Sequence, residues 1–455
     1  MNKKELIVPI IAVVFLAAIF GLIFYDKQKN GDSPYRVSAS DSLKSGLRSG
    51  KKDGLSNSEL AEMKVSESER KVSGKEKAVD NPQSSATSIG IMQVSASLSE
   101  EDWQRRIVFG INADGINEAN SLNKNLYYYS VLDSSLKQLY CEIYLAVTGF
   151  CSDVCLCSTS PEDIDLVFNC VLADHPEIYY VDGYMYTRFI ADKEVLRISF
   201  SPAYTKKEEE VDKYNKYIEE YFKAFKKGIS NNASEYEKIR YTYEFIIANT
   251  EYKLDAEENQ NILSVIMNKE SVCQGYAKAF QYLLGRLNVE ATLVVGMVGE
   301  DEYHAWNMVK CKGSYYYVDC TWGDSSYFAE TGYSDQIYAI NYDYLNITTA
   351  ELSKTHEIMN FLEIPICNAT AYNYYIAEGL YFDKVDPDQL KEAFDEAYIN
   401  NRQTIEIKCK NASVYEEMGK YLLDENHIFD YLSRDVESVS LVRNNDMYIY
   451  CFALI

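Results

Sequence analysis

Positive charge is scarce over most of this chain, and so are the residues that build metal and nucleic-acid sites. Residues 1–100 hold 14 Lys/Arg against 12 Asp/Glu, a sum of +2; with −24 overall, the remainder carries −26. A body that acidic repels phosphate backbones, which argues against nucleic acid as a partner. No CxxC pair occurs anywhere. Cys151, Cys155 and Cys157 form a CxxxCxC run without a fourth ligand for tetrahedral zinc, so neither a metal nor another cofactor is expected. A disulfide with Cys141 or Cys170 and ordinary buried thiols both stay open for that run. Histidine is down to four and tryptophan to three, with no tryptophan between 104 and 305.

Tyrosine, at 40 of 455 residues, is the opposite extreme. Tyrosine-rich surfaces contact peptides or sugars, although a solvated strand face explains them as well. The apolar and charged fractions, 47% and 25%, are those of a globular protein, and the length allows two or three domains.

Residues 5–25, ELIVPIIAVVFLAAIFGLIFY, are apolar except for Glu5 at the edge. About twenty such residues span a bilayer, and no A-x-A-like cleavage site follows, so the run reads as an uncleaved anchor rather than a removed signal peptide. Lys3 and Lys4 favour a cytoplasmic N-terminus, which places the body outside the membrane; Lys27 and Lys29 on the other flank work against that orientation. Residues 26–105 are Ser-, Lys- and Gly-rich, with 17 serines in 31–100 and no hydrophobic period. That composition predicts a disordered tether reaching roughly 50 Å.

The body divides into a helix-rich α+β region over 106–230, a core over 231–356 and a C-terminal α+β module over 357–455. Helices are predicted over 126–147, 163–173, 207–227 and 236–252, and a strand pair turning at Asp182-Gly183. In the C-terminal module Asp386-Pro387 starts a helix, TIEIKC is a strand, VYEEMGKYLL a helix and VSLV–RNND–MYIYCFA a closing hairpin.

The chemistry concentrates in 271–322. In Ser271-Val272-Cys273-Gln274 the spacing fits a capping box, with Ser271 as N-cap and Gln274 reaching back from N3. Cys273 then sits in the first turn, where an unpartnered N–H and the positive end of the helix favour thiolate over thiol. Val272, Tyr276, Phe280, Leu283, Leu284 and Leu287 give that helix a buried stripe. Downstream, HAWNMVKC and SYYYVDCTW flank Lys312-Gly313 as a hairpin. A two-residue turn pairs Cys311 with Ser314, sets His304 against Thr321 and Asp319 against Trp306. His304 and Asp319 then share a face as diagonal neighbours roughly 7–8 Å apart between Cα atoms.

Together, SVCQGYAKAFQYLL, HAWNMV and YYYVDCTWGD resemble the transglutaminase-like superfamily of thiol acyltransferases and peptidases. The likeness is greatest to its bacterial extracytoplasmic branch and to peptidases resembling kyphoscoliosis peptidase, and is specific over about 237–356. It implies a papain-like α+β core, a nucleophile helix packed on an antiparallel sheet, with Cys273 as nucleophile, His304 as general base and acid and Asp319 as orienting carboxylate. The same roles follow from the chemistry of a thiol beside an imidazole. The Cys273 N–H is the first oxyanion donor. Transglutaminases proper use a tryptophan upstream of the cysteine as the second. None stands there, which leaves Tyr252 or Tyr243 as stand-ins, puts crosslinking in doubt and mildly favours hydrolysis. Gln274, Trp306 and Trp322 are further oxyanion or substrate candidates, the tryptophans either walling the acyl groove or filling the sheet core. Asp324 reads as a turn cap, and His356 as the end of the core without a role.

The expectation is a membrane-tethered thiol enzyme acting on peptide or glutamine amides, cell-wall peptides included. The alternative is a surface protein that uses the same fold to bind peptides or wall material.

Overall fold

In a computed structural model the described residues are 36–38, 70–71, 98–191, 194–299, 302–324, 340–432 and 439–454. The apolar run 5–25 and nearly all of the tether lie outside them. Among the described residues no helix is long and apolar enough to cross a membrane.

Helix Glu100–Val108 begins inside the stretch assigned to the tether, because Ser99 and Asp102 form a capping box that fixes its start. It is held down by Arg106, which pairs with Glu142 at 2.8 Å where both side chains are buried. The apolar stretch 126–147 becomes two helices, Tyr127–Val131 and Ser134–Thr148. The break comes at Asp133, whose carboxylate accepts from the Ser135 and Leu136 N–H groups and so starts a new helix. Asp174, at the end of helix Pro161–Asp174, ties the pieces together: it accepts from the Tyr128 and Tyr129 N–H groups and the Tyr140 hydroxyl.

No turn forms at Asp182-Gly183. Val181–Ala191 is one strand, paired antiparallel with Glu194–Tyr204, and the dipeptide is absorbed as a register shift between Val181 and Gly183. A Gly in a strand often marks such a bulge rather than a reversal.

The central region opens with α1 (Glu235–Asn249) and α2 (Cys273–Arg286). The predicted apolar stripe of α2, from Val272 to Leu287, is buried throughout. It packs on a five-stranded antiparallel sheet of β1 (Ala291–Val298), β2 (Glu302–Cys311), β3 (Ser314–Val318), β4 (Leu345–Ile347) and β5 (His356–Ile358). The strand order is β4-β3-β2-β1-β5. Lys312 and Gly313 have φ of 50° and 84°, the two positive values a type I′ turn demands, and Cys311 pairs with Ser314 as expected. The ladder stops at Val318 opposite Asn307. Asp319 leaves the sheet and caps a short helix, α3 (Cys320–Gly323), so Thr321 is helical and does not pair with His304. Inside the interface the Asn307 side-chain amide donates to the Ala277 carbonyl at 3.0 Å, fastening helix to sheet.

The C-terminal residues form a four-stranded sheet of Tyr381–Phe382, Thr404–Cys409, Leu441–Asn444 and Ile449–Ala453 with helices Pro387–Ile399 and Ala412–Gly419. Asp386 caps the first of these helices, with Pro387 at its start. Asp343 joins this sheet to the central region, accepting from Tyr375 at 2.5 Å and Asn444 at 2.6 Å. All eleven cysteines are free thiols, so the disulfide considered for the CxxxCxC run is not formed.

β5 reaches β1 only because position 296 is glycine. A Cβ there would stand 2.0 Å from the Glu357 carbonyl oxygen and 2.7 Å from the Trp306 ring. Gly296→Ala is expected to force β5 away from β1 and to lower stability by about 1–3 kcal/mol. Thermal unfolding reads this directly; an unchanged midpoint contradicts the packing.

Candidate active site

Cys273 is the first residue of α2 and half-buried. The N-cap is Val272, without a side-chain cap bond. The expected box on Ser271 is absent because that hydroxyl is already engaged: Ser271 Oγ lies 2.6 Å from Ser264 Oγ, and the residue pairs in a short strand with Tyr252. Gly275 leaves the room this needs, since a Cβ there would fall 2.0 Å from Ser271 Oγ. The loop before the cysteine is therefore clamped, and the start of the helix is positioned by tertiary contact rather than by its own cap. As N1, Cys273 has a backbone N–H with no intrahelical acceptor.

β2 and the end of β3 bring His304 and Asp319 together. The His304 Nε2–H donates to Asp319 Oδ2 at 2.6 Å, with both side chains buried. A carboxylate only accepts, so Nε2 carries a proton, and Cys273 lies close enough to act electrostatically on the same imidazole. Burial alone would push His304 toward its neutral form. The Asp319 carboxylate and Cys273 outweigh that and hold the imidazolium well above the usual histidine range. Burial would likewise raise the Asp319 carboxyl, but His304 and His356 keep it well below the ordinary carboxylate range.

Asp319 is saturated. Its Oδ1 accepts from the Thr321 and Trp322 N–H groups at 2.8 and 3.0 Å, and its Oδ2 accepts from both His304 and His356, the latter at 3.1 Å. His356, given no role from sequence, belongs to this cluster. Its position on an edge strand added on the far side of β1 left no local signal of that. His304, Asp319 and His356 are also the one grouping of three potential metal ligands among the described residues. Both Nε2 atoms spend their protons on Asp319, so hydrogen bonding accounts for the cluster.

The remaining candidates separate. Trp306 is 1% exposed and lies beside His304 and edge-on to His356, so it fills the core behind the cluster and does not wall a groove. Trp322 is half-buried, 6.4 Å from the His304 ring and 4.9 Å from that of His356. Tyr252 is 41% exposed and near enough for the Cys273 charge to add to the burial that raises its hydroxyl. Tyr243 is excluded as an oxyanion donor: its hydroxyl is buried and donates to the Asn341 carbonyl at 2.6 Å. Gln274 is half-buried at the second helical position. Asp324 ends α3, but its carboxylate accepts from the Tyr276 hydroxyl at 2.7 Å instead of capping a turn. Burial pushes it up to about 6, the Tyr276 bond opposing and Glu251 adding. With Thr250, Glu251 and Lys269 it lines an open cleft.

The two shifts act on stability in opposite directions. The lowered Asp319 contributes stability that is present above its unfolded value of about 3.9 and lost as pH falls through its folded value. The raised His304 contributes stability that is full below about 6.5 and lost as pH rises through its folded value. Asp319→Asn keeps the shape and removes the charge. The His304 titration midpoint is then expected to move down by at least about two pH units. Four histidines give four NMR ring signals, enough to follow it; an unmoved midpoint contradicts the pairing.

No curated protein matches the sequence. A solved structure described as "Crystal structure of a TGase" is similar at 13% identity, with a TM-score of 0.23 over 30% of this chain and 44% of that one. The chain thus spans under half of that structure's length. Residues 223–320, which contain α1, Cys273, His304 and Asp319, match the family model Transglut_core. That model is described as the transglutaminase-like superfamily, so it is residues 223–320 of this chain that are similar to the family's core.

Proposed function

We propose that the protein is a transglutaminase-like cysteine enzyme that forms a thioester from a peptide or glutamine amide at Cys273. The observation that carries this reading is the buried imidazole of His304, hydrogen-bonded to Asp319 at 2.6 Å and close enough to Cys273 for the two to interact electrostatically. A protein that only binds peptides has no use for a buried, ionised acid aligned through an imidazole on a half-exposed thiol.

His304 takes the thiol proton, giving a thiolate–imidazolium pair. The sulfur attacks the amide carbonyl, and the carbonyl electrons move to oxygen. The Cys273 and Gln274 N–H groups, the first two of α2 and both without intrahelical acceptors, face the developing charge. The imidazolium gives its proton to the leaving amine or ammonia as the C–N bond breaks. Water, deprotonated by the same imidazole, then opens the thioester to a carboxylate and restores the thiol. An amine in place of water gives a new amide. With no tryptophan between 104 and 305 to serve as the second oxyanion donor of a crosslinking enzyme, hydrolysis is the favoured outcome.

The apolar run 5–25, with Lys3 and Lys4 before it, supports a membrane-tethered enzyme whose body lies outside the cytoplasm, where peptides of the cell wall are within reach of the tether. The acidic body suits cationic substrates.

Wild type and Cys273→Ala, incubated with candidate wall peptides and proteins plus an amine probe, separate the outcomes by mass. Chain cleavage or a glutamine-to-glutamate change is expected for wild type alone; uptake of the amine identifies transfer instead. Identical products from the two proteins contradict the enzymatic reading.

A further inference from the structure

The acyl transfer described above uses one imidazole, yet the carboxylate that serves it holds two. His356 is 4% exposed on β5. Its Nε2 stands 3.1 Å from Asp319 Oδ2, the same oxygen that His304 reaches from the other side. The protons can be assigned in one consistent direction. Asp319 only accepts, so His356 Nε2 carries a hydrogen. If the ring is neutral, Nδ1 is an acceptor and takes the single Thr355 hydroxyl hydrogen at 2.8 Å in preference to the Leu352 carbonyl at 3.4 Å. Thr355 Oγ1 in turn lies 3.3 Å from the Tyr344 hydroxyl, free to accept from it. The ring is boxed by Trp322 at 4.9 Å, Trp306 at 5.0 Å and Tyr344 at 5.5 Å between centroids. Its tilt and its place are fixed by these rings.

We propose that His356 is a positioning residue for the thiol chemistry: it pins Asp319 Oδ2 and, by sharing that oxygen, limits the pull of the carboxylate on His304. This rests on the assignment of Cys273 and His304 made above. Two donors on one oxygen compete for its electron density, so each is held less tightly than it would be alone. The consequence is chemical. An imidazolium gripped by an undivided buried carboxylate keeps its proton too well to pass it to a leaving amine. The second donor tempers the first, while the two backbone N–H groups on Oδ1 keep the carboxylate from turning.

The ionisable groups facing this pair are few. Cys273 comes from α2 and Asp319 from the end of β3; Tyr252, before the cysteine, lies within electrostatic reach of both and of Glu302 on β2. On the His356 side Tyr344 stands next, with Asp343 and Asp446 behind it.

The test follows the histidine ring signals against pH in the full-length chain, four in wild type and three each in His356→Phe and His356→Gln. Phe fills the volume without a donor; the Gln amide offers an N–H where Nε2–H was. Loss of the shared bond is expected to raise the His304 midpoint by about one pH unit, a tenfold change in proton affinity, in His356→Phe. His356→Gln is expected to stay close to wild type. Thr355→Val, which removes the hydroxyl beside Nδ1, is expected to shift His304 the same way and carries the test if the Phe variant does not fold. A His304 midpoint unmoved in the folded variants, or moved equally by Phe and Gln, overturns the proposal. Iodoacetamide labelling of Cys273 in the same samples keeps the two claims apart. A wild-type Cys273 no faster than the other thiols sinks the thiol assignment itself, whereas fast labelling with an indifferent His304 sinks only the role of His356.

Discussion

The site depends on one buried carboxylate. Asp319 is 1% exposed, and a lone charge at that depth would cost several kcal/mol. Four donors offset the cost: two backbone N–H groups on one oxygen and two imidazoles on the other. The backbone pair exists because the chain leaves β3 at Asp319 and coils at once, so that α3 presents its first N–H groups to the residue that caps it. The imidazoles arrive from two different strands of the sheet. Remove the charge and only Cys273 is left to hold His304 protonated against its own burial.

The nucleophile is delivered by different means. α2 begins at Cys273 without a side-chain cap, and its position is instead set by the clamped loop before it, the Ser264–Ser271 contact and the space left by Gly275. Its buried stripe then seats the helix on β1 and β2, and the Asn307–Ala277 bond fixes its height against the strand that carries His304. Cys273 on the helix and His304 on the hairpin are thereby brought within electrostatic reach of each other. That arrangement brings a thiol, an imidazole and a carboxylate into line from segments that are close in sequence, a short path compared with papain-like chains.

Closeness in sequence also explains which parts could be read before the fold was seen. The nearness of His304 to Asp319 was legible because the two-residue turn at Lys312-Gly313 sets the register as far as Val318, one residue before Asp319 leaves the sheet. The stripe of α2 was legible for the same reason: helical period is local. His356 was not, since it acts from β5, which joins the sheet beside β1, and no local pattern says which edge a late strand will choose. The helix cap was misread because Ser271 has the right spacing but its hydroxyl is claimed by Ser264, a partner supplied by the preceding loop. Asp182-Gly183 looked like a turn and became a bulge because the following strand, Glu194–Tyr204, was long enough to pair past it. Trp306 was left between wall and core; the sheet face it occupies, toward β5, decided for core.

The account therefore stands on the electrostatics of one cysteine among eleven. The most direct measurement is the rate at which each thiol of the native protein is alkylated at mildly acidic pH, resolved peptide by peptide. The account predicts that Cys273 reacts well ahead of the other ten, because its sulfur lies beside the His304 imidazole. Alkylation of Cys273 at the pace of an ordinary exposed thiol would contradict it.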